Sequence, residues 1–214
     1  NFLQDYKRRC FNEVIKRHRS SFIRYPVIVV DSNNKTCRDD IAKELAKRLQ
    51  GQVLYNPPSC ILEYKVIYNQ HNPLHRAFDI LGMYAASHYA QANYIYKPII
   101  ISGYWNYATS LSLDELYPDS EILTEECPLC KFPQDLLLPD ITFVVNMKRG
   151  FSEFKLDNLV KKKRIPRWKA ILNQMKEHPI EIIDRCIEDI NVVSDIEQII
   201  DLKVKSQILV KKRQ

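Results

Sequence analysis

The chain has 214 residues, of which 45% are hydrophobic and 27% charged, and it carries a formal net charge of +6. That is enough apolar material to close one α/β core, while only 4 glycines and 11 prolines argue against a linker-rich or low-complexity chain. No apolar run approaches the roughly 18 residues that a membrane-spanning helix needs.

In chain order, residues 2–19 read as a helix, with Phe2, Leu3, Tyr6, Cys10, Phe11, Val14 and Ile15 forming an apolar stripe under a basic face. Residues 1–24 are taken as a basic amphipathic arm and 25–214 as the main domain. The arm opens on Asn1 rather than Met, which leaves room for a targeting segment ahead of it. "VIVV" (27–30) predicts a buried strand, followed by a loop and a helix opened by Asp39 and Asp40, with Ile41, Leu45 and Leu49 on its apolar face. "QVLY" (52–55) predicts a second strand, and "NPPSC" after it a turn. A helical stretch through Tyr64 and Ile67 and a longer one over about 73–94 come next. "PIIIS" (98–102), "ITFVV" (141–145) and "IEII" (180–183) complete five strands, with a basic helical region between the last two and a closing helix in "DIEQIIDLKVKSQIL". Near-continuous apolar strands, each followed by helix, describe a parallel sheet covered on both faces. Ligands then bind at the carboxyl ends of the strands, where residues 31–39, "NPPSC" and "SGYWN" should converge.

Charge is unevenly placed. Lys7, Arg8, Arg9, Lys16, Arg17, Arg19 and Arg24 crowd the arm, while Lys155, Lys161, Lys162, Lys163, Arg164, Arg167 and Lys169 crowd residues 155–169. Residues 114–127 hold six acids and no base. Such blocks suit an anionic partner or are solvated faces. Six cysteines in a chain of this length do not suggest a disulfide scaffold, so a reducing compartment is expected. Cys127 and Cys130 have the spacing of half a zinc site, but no second C-x-x-C completes it.

Four blocks in order, "LYNPPSC", "HRAFDILGMYAASHYA", "KPIIISGYWNYATS" and "PQDLLLPDITFVVNM", resemble thymidylate kinase-like enzymes, above all the mitochondrial UMP/CMP kinase branch. The resemblance runs over about 22–147. It implies a P-loop NTPase-type three-layer α/β domain with strand order 2-3-1-4-5 and helices on both faces, usually as a homodimer, in a mitochondrial protein. It also implies ATP-dependent, magnesium-dependent phosphorylation of a pyrimidine nucleoside monophosphate.

The motifs that would perform this chemistry are altered. A phosphate-binding loop reads G-x-x-x-x-G-K-[ST], with glycines that let backbone N–H groups curl round the phosphates. Counted without a gap it falls on Ser32, Asn33, Asn34, Lys35, Thr36, Cys37, Arg38 and Asp39, with Arg38 for the lysine and Asp39 for the hydroxyl residue. A gapped reading keeps Lys35 and Thr36 as the Lys-Thr pair and puts Asn34 at the glycine. The family's Asp-Arg pair after the third strand becomes Ser102 and Gly103, while Tyr104 and Trp105 persist. Pro57 and Pro58, Arg76 and Asp79 fall on monophosphate-site positions, and Arg164 and Arg167 on the lid, about 148–170. With three sites altered and the packing blocks kept, the sequence predicts a catalytically degenerate nucleoside monophosphate kinase-like domain that binds a protein partner. That partner would be a second copy, through a helix such as 73–94 with Tyr84, Tyr89, Tyr94 and Tyr96, or a larger assembly. No cofactor is then expected. Two alternatives are a weakly active kinase using ATP and magnesium through Arg38, Lys35, Arg164 and Arg167, and nucleic-acid binding through the arm and Lys161, Lys162, Lys163, Arg164 and Arg167.

Overall fold

A computed structural model describes residues 2–12, 24–69, 71–117, 128–148, 167–186, 189 and 191–205. Strand β1 (Val27–Ser32) runs up the centre of a five-stranded, all-parallel sheet. Its neighbours are β3 (Ile99–Ser102) and β4 (Ile141–Lys148), with β2 (Gln52–Tyr55) and β5 (Ile180–Cys186) at the edges. The order is β2-β3-β1-β4-β5, as the resemblance implies.

Successive strand residues point to opposite faces, so the unbroken apolar run of β1 feeds two cores. Ile28 and Val30 pack with Ile41, Ala42 and Leu45 of α2 (Lys35–Arg48) and with Val193 and Ile196 of α6 (Val192–Ile200). Val27 and Val29 face Met83, Ala86 and Ala90 of α3 (His75–Asn93). A third cluster joins Tyr107 and Leu113 of α4 (Trp105–Leu116) to Ile171 and Leu172 of α5 (Arg167–Leu172) under Val144. Asp140 fixes the start of β1, accepting from Val27 N at 2.8 Å and from both Arg24 terminal nitrogens at 2.6 and 2.8 Å.

Helix α1 (Phe2–Cys10) is shorter than predicted: Phe11 and Asn12 lie outside it, and residues 13–20 are outside the described part. Its apolar stripe is used, since Tyr6 and Cys10 are buried against Ile61, Phe78 and Ala85. The stretch after "NPPSC" is a 3-10 helix, Ser59–Val66, and the chain after α6 continues as a π-helical turn, Asp201–Lys205. No helix among the described residues is long and apolar enough to cross a membrane.

One expectation fails. Cys10 and Cys60 form a disulfide across 50 residues, against the expectation of a reducing compartment. The sequence offers no spacing rule for this pair, because only the docking of α1 brings them together. Cys127 lies outside the described residues, and Cys130 is buried. Among the described residues no group of three or more His, Cys, Asp or Glu could hold a metal ion.

Candidate functional site

The carboxyl ends of β1, β2 and β3 meet as predicted. Asn56 N donates to Ser102 O at 3.1 Å, and Gly103 N to Val30 O at 3.0 Å. Above them is a cleft of about 770 Å³, bounded by Asp31, Lys35 and Arg38, by Pro57 and Lys65, by Tyr68, His75, Phe78 and Asp79, and by Gly103, Tyr104 and Tyr107.

The eight residues expected as a loop do not form one. Pairing of Asp31 with Val144 and Ser32 with Val145 carries β1 two residues further than the β-branched run suggests. Helix α2 then starts at Lys35, so only Asn33 and Asn34 connect the two. Asn34 is the N-cap, its side chain accepting from Cys37 N at 3.1 Å, and its own N–H donates to Ser32 Oγ at 3.1 Å. Asn33 fastens the turn to β4: its Oδ1 accepts from Met147 N at 2.8 Å and its Nδ2 donates to Met147 O at 2.9 Å. A two-residue turn has no length to encircle a phosphate, and the N–H groups of Asn34 and Cys37 are already taken.

Beside this turn, four sequence-predicted residues form one polar knot. Arg38 Nε donates to Ser102 Oγ at 3.0 Å and to Asp39 Oδ1 at 3.1 Å. Ser102 Oγ donates to Asp39 Oδ1, and Lys35 Nζ to Asp39 Oδ2, each at 2.5 Å. Burial alone would raise the pKa of Asp39, but the hydrogen bonds from Lys35 and Ser102 and the neighbouring Arg38 charge hold it below the usual value. Asp39 is therefore an anion that occupies its cationic neighbours. Thr36 sits in the first turn of α2 beside Lys35.

Gly103, at φ +86°, lets Arg38 lie where it does: a Cβ there would stand 2.6 Å from Arg38 Nη1. Tyr104 is fully buried and donates through its hydroxyl to Leu137 O at 3.1 Å, so it serves as packing. Asp79 lines the cleft with His75 Nε2 at 3.4 Å, and burial raises its pKa despite His75, Arg38 and Lys65. Pro57 lines both the cleft and an adjoining groove against α1, and Pro58 lines that groove. Arg76 is not brought to the cleft; it is ion-paired with Glu115 of α4. Arg167 lies 3.9 Å from Asp114. Arg164, Lys161, Lys162 and Lys163, with most of the lid region, fall outside the described residues.

The sequence reading missed Asp31. It is 2% exposed on the cleft floor, with Oδ1 accepting from Tyr104 N at 3.4 Å and Oδ2 without a hydrogen-bond partner. Burial raises its pKa to about 7, opposed by Arg38 and the Tyr104 N–H. A carboxylate ending an otherwise apolar central strand was the available signal.

The sheet order and the helices on both faces define a three-layer α/β fold of the P-loop NTPase type, like that of thymidylate kinase. Among solved structures the chain is similar to thymidylate kinase from Candida albicans, with a TM-score of 0.50 and 16% identity over 84% of this chain and 92% of that one. No family model matches the sequence, and no curated protein does.

Proposed function

We propose that the chain is a catalytically degenerate nucleoside monophosphate kinase-like domain, kept as a protein-binding or assembly module and not as a phosphotransferase. The observation that carries this reading is the β1–α2 turn: two residues long, tied to β4 through Asn33 and capped by Asn34. Phosphoryl transfer depends on positioning and charge neutralisation around the transferred group. Here Lys35 and Arg38 are engaged by Asp39, and Ser102 and Gly103 replace the charged pair of the resemblance. ATP and magnesium do not fit this arrangement.

The interaction half of the proposal is supported by the molecule's surface. Leu62, Val66, Ile67 and Leu74 are each more than half exposed along one segment. Dimerisation through the tyrosines in α3 and just after it has less support, because three of the four are engaged within the chain. Tyr84 donates to Asp135, Tyr89 accepts from Gln52, and Tyr94 lies under Arg24. Tyr96 is exposed.

One observation favours a weakly active kinase instead: the start of α2 puts Lys35 and Thr36 where the gapped reading places the motif's Lys-Thr pair. Thermal unfolding separates the two readings. At about 100 times its dissociation constant a ligand stabilises the fold by roughly 2.7 kcal/mol. The proposal expects no magnesium-dependent shift with millimolar ATP and no turnover of UMP, CMP or dTMP. A shift lost in Lys35→Ala would favour the kinase.

A further inference from the structure

Cys10 is the last residue of α1, and Cys60 the second residue of the 3-10 helix that follows Pro57-Pro58. Cys10 is buried, Cys60 is partly exposed, and both line a groove of about 750 Å³ beside β2. A small dithiol can therefore reach the bond from the Cys60 side. The helix that the bond fastens has nine residues, fewer than the roughly 12–15 needed for an isolated helix to persist in water. Among the described residues its polar ties to the rest of the chain include Tyr6 Oη donating to Leu81 O at 2.8 Å, Tyr64 Oη donating to Asp5 at 2.6 Å, and Arg9 pairing with Glu63 at 2.5 Å. Tyr6, buried against Ile61, Phe78 and Ala85, and Phe2 supply the apolar ties. The Phe2 ring lies 4.9 Å from Tyr64, 5.0 Å from Tyr68 and 6.0 Å from Phe78. Tyr68 and Phe78, stacked at 5.2 Å, are also wall residues of the cleft over the strand ends. The bond thus holds in place the helix that backs the cleft wall.

We propose that Cys10–Cys60 is a reversible redox site whose reduction releases α1 and loosens that wall. In the reducing step, a thiolate of a dithiol attacks Cys60 Sγ, the Sγ–Sγ bond breaks, and Cys10 departs as a thiolate and takes up a proton. The second thiol of the dithiol then attacks its own sulfur in the mixed disulfide and expels Cys60. Two electrons and two protons pass to the protein, and the dithiol becomes a cyclic disulfide. Without the cross-link, α1 leaves Ile61 and Phe78, and Tyr68 loses its contact with Phe2. This inference does not depend on what the cleft binds.

The test is hydrogen exchange on the full chain, oxidised and then treated with dithiothreitol, with thiols counted by alkylation and mass spectrometry under native conditions. The expected result is two additional alkylated thiols, at residues 10 and 60, and at least tenfold faster exchange over residues 2–10. Residues 64–68 and 75–79 should follow, β4 should remain protected, and reoxidation should restore the first pattern. The double variant Cys10→Ser/Cys60→Ser should show the reduced pattern and ignore dithiothreitol; the reduction and reoxidation cycle on the unaltered chain stands without it. The proposal is overturned if the bond resists dithiothreitol until the whole chain unfolds. It is equally overturned if reduction leaves α1 protection unchanged, or if both cysteines are already thiols in the untreated protein.

Discussion

At Gly103 the backbone takes φ +86°, and the space a Cβ would fill is held by the Arg38 guanidinium. Gly103→Ala meets both the left-handed backbone and that contact, and should cost about 1–3 kcal/mol in urea unfolding. The resemblance implies an arginine where Gly103 stands, but nothing in the sequence tells that Arg38 approaches from α2 to take the space. Asp31 was less legible still, because its consequence depends on the depth of the strand. Its folded pKa of about 7 lies above the ordinary 3.8, so the native state holds a proton that the unfolded chain releases. Its burial therefore costs least below pH 4, and stability is lost as pH rises from there through 7. Asp31→Asn removes this loss, and should stabilise the fold by roughly 2–3 kcal/mol more at pH 8 than at pH 5. His178 works in the opposite sense. Burial lowers its pKa to about 4, so its neutral form favours the fold above pH 6.5, and that contribution is lost as pH falls through 4. Comparing Asp31→Asn with the parent chain at each pH cancels the His178 effect, and urea midpoints at the two pH values check the prediction.

Among the elements, the β1–α2 connection departs furthest from its sequence expectation. β-branched residues stop at Val30 and a pair of acids stands at 39–40, so a loop of eight residues looked natural. Two tertiary facts shorten it: parallel pairing with β4 extends β1 through Ser32, and Asn34 caps a helix that begins with Lys35. Neither can be read from local propensity, although Asn as a cap is a local signal in hindsight. Asn34→Ala should cost about 1 kcal/mol as a lost cap. Asn33→Ala leaves Met147 N without its side-chain acceptor and should cost about 1–3 kcal/mol; chemical denaturation of both variants measures the difference. The cysteine pair shows the same limit in another form, since nothing local links positions 50 residues apart. In the chain-entropy view a loop of that length is worth roughly 4 kcal/mol, so Cys60→Ser should lower stability by up to that amount.

Across the whole molecule, the strand order and the placing of helices on both faces were legible, because long apolar runs alternating with helices leave few arrangements and the four family-like blocks selected one. The crevice at the strand ends followed from that topology. Its chemistry followed only in part: the sequence singled out Lys35, Arg38, Asp39 and Ser102, and the fold shows that they satisfy one another. The central claim is that this closed turn does not hold a nucleoside triphosphate. It is tested most directly by titrating ATP with magnesium into isotope-labelled protein and following the backbone amides of residues 33–38. The account predicts that these resonances stay in place up to millimolar nucleotide, with and without magnesium. A saturable, magnesium-dependent shift of the same amides would contradict it.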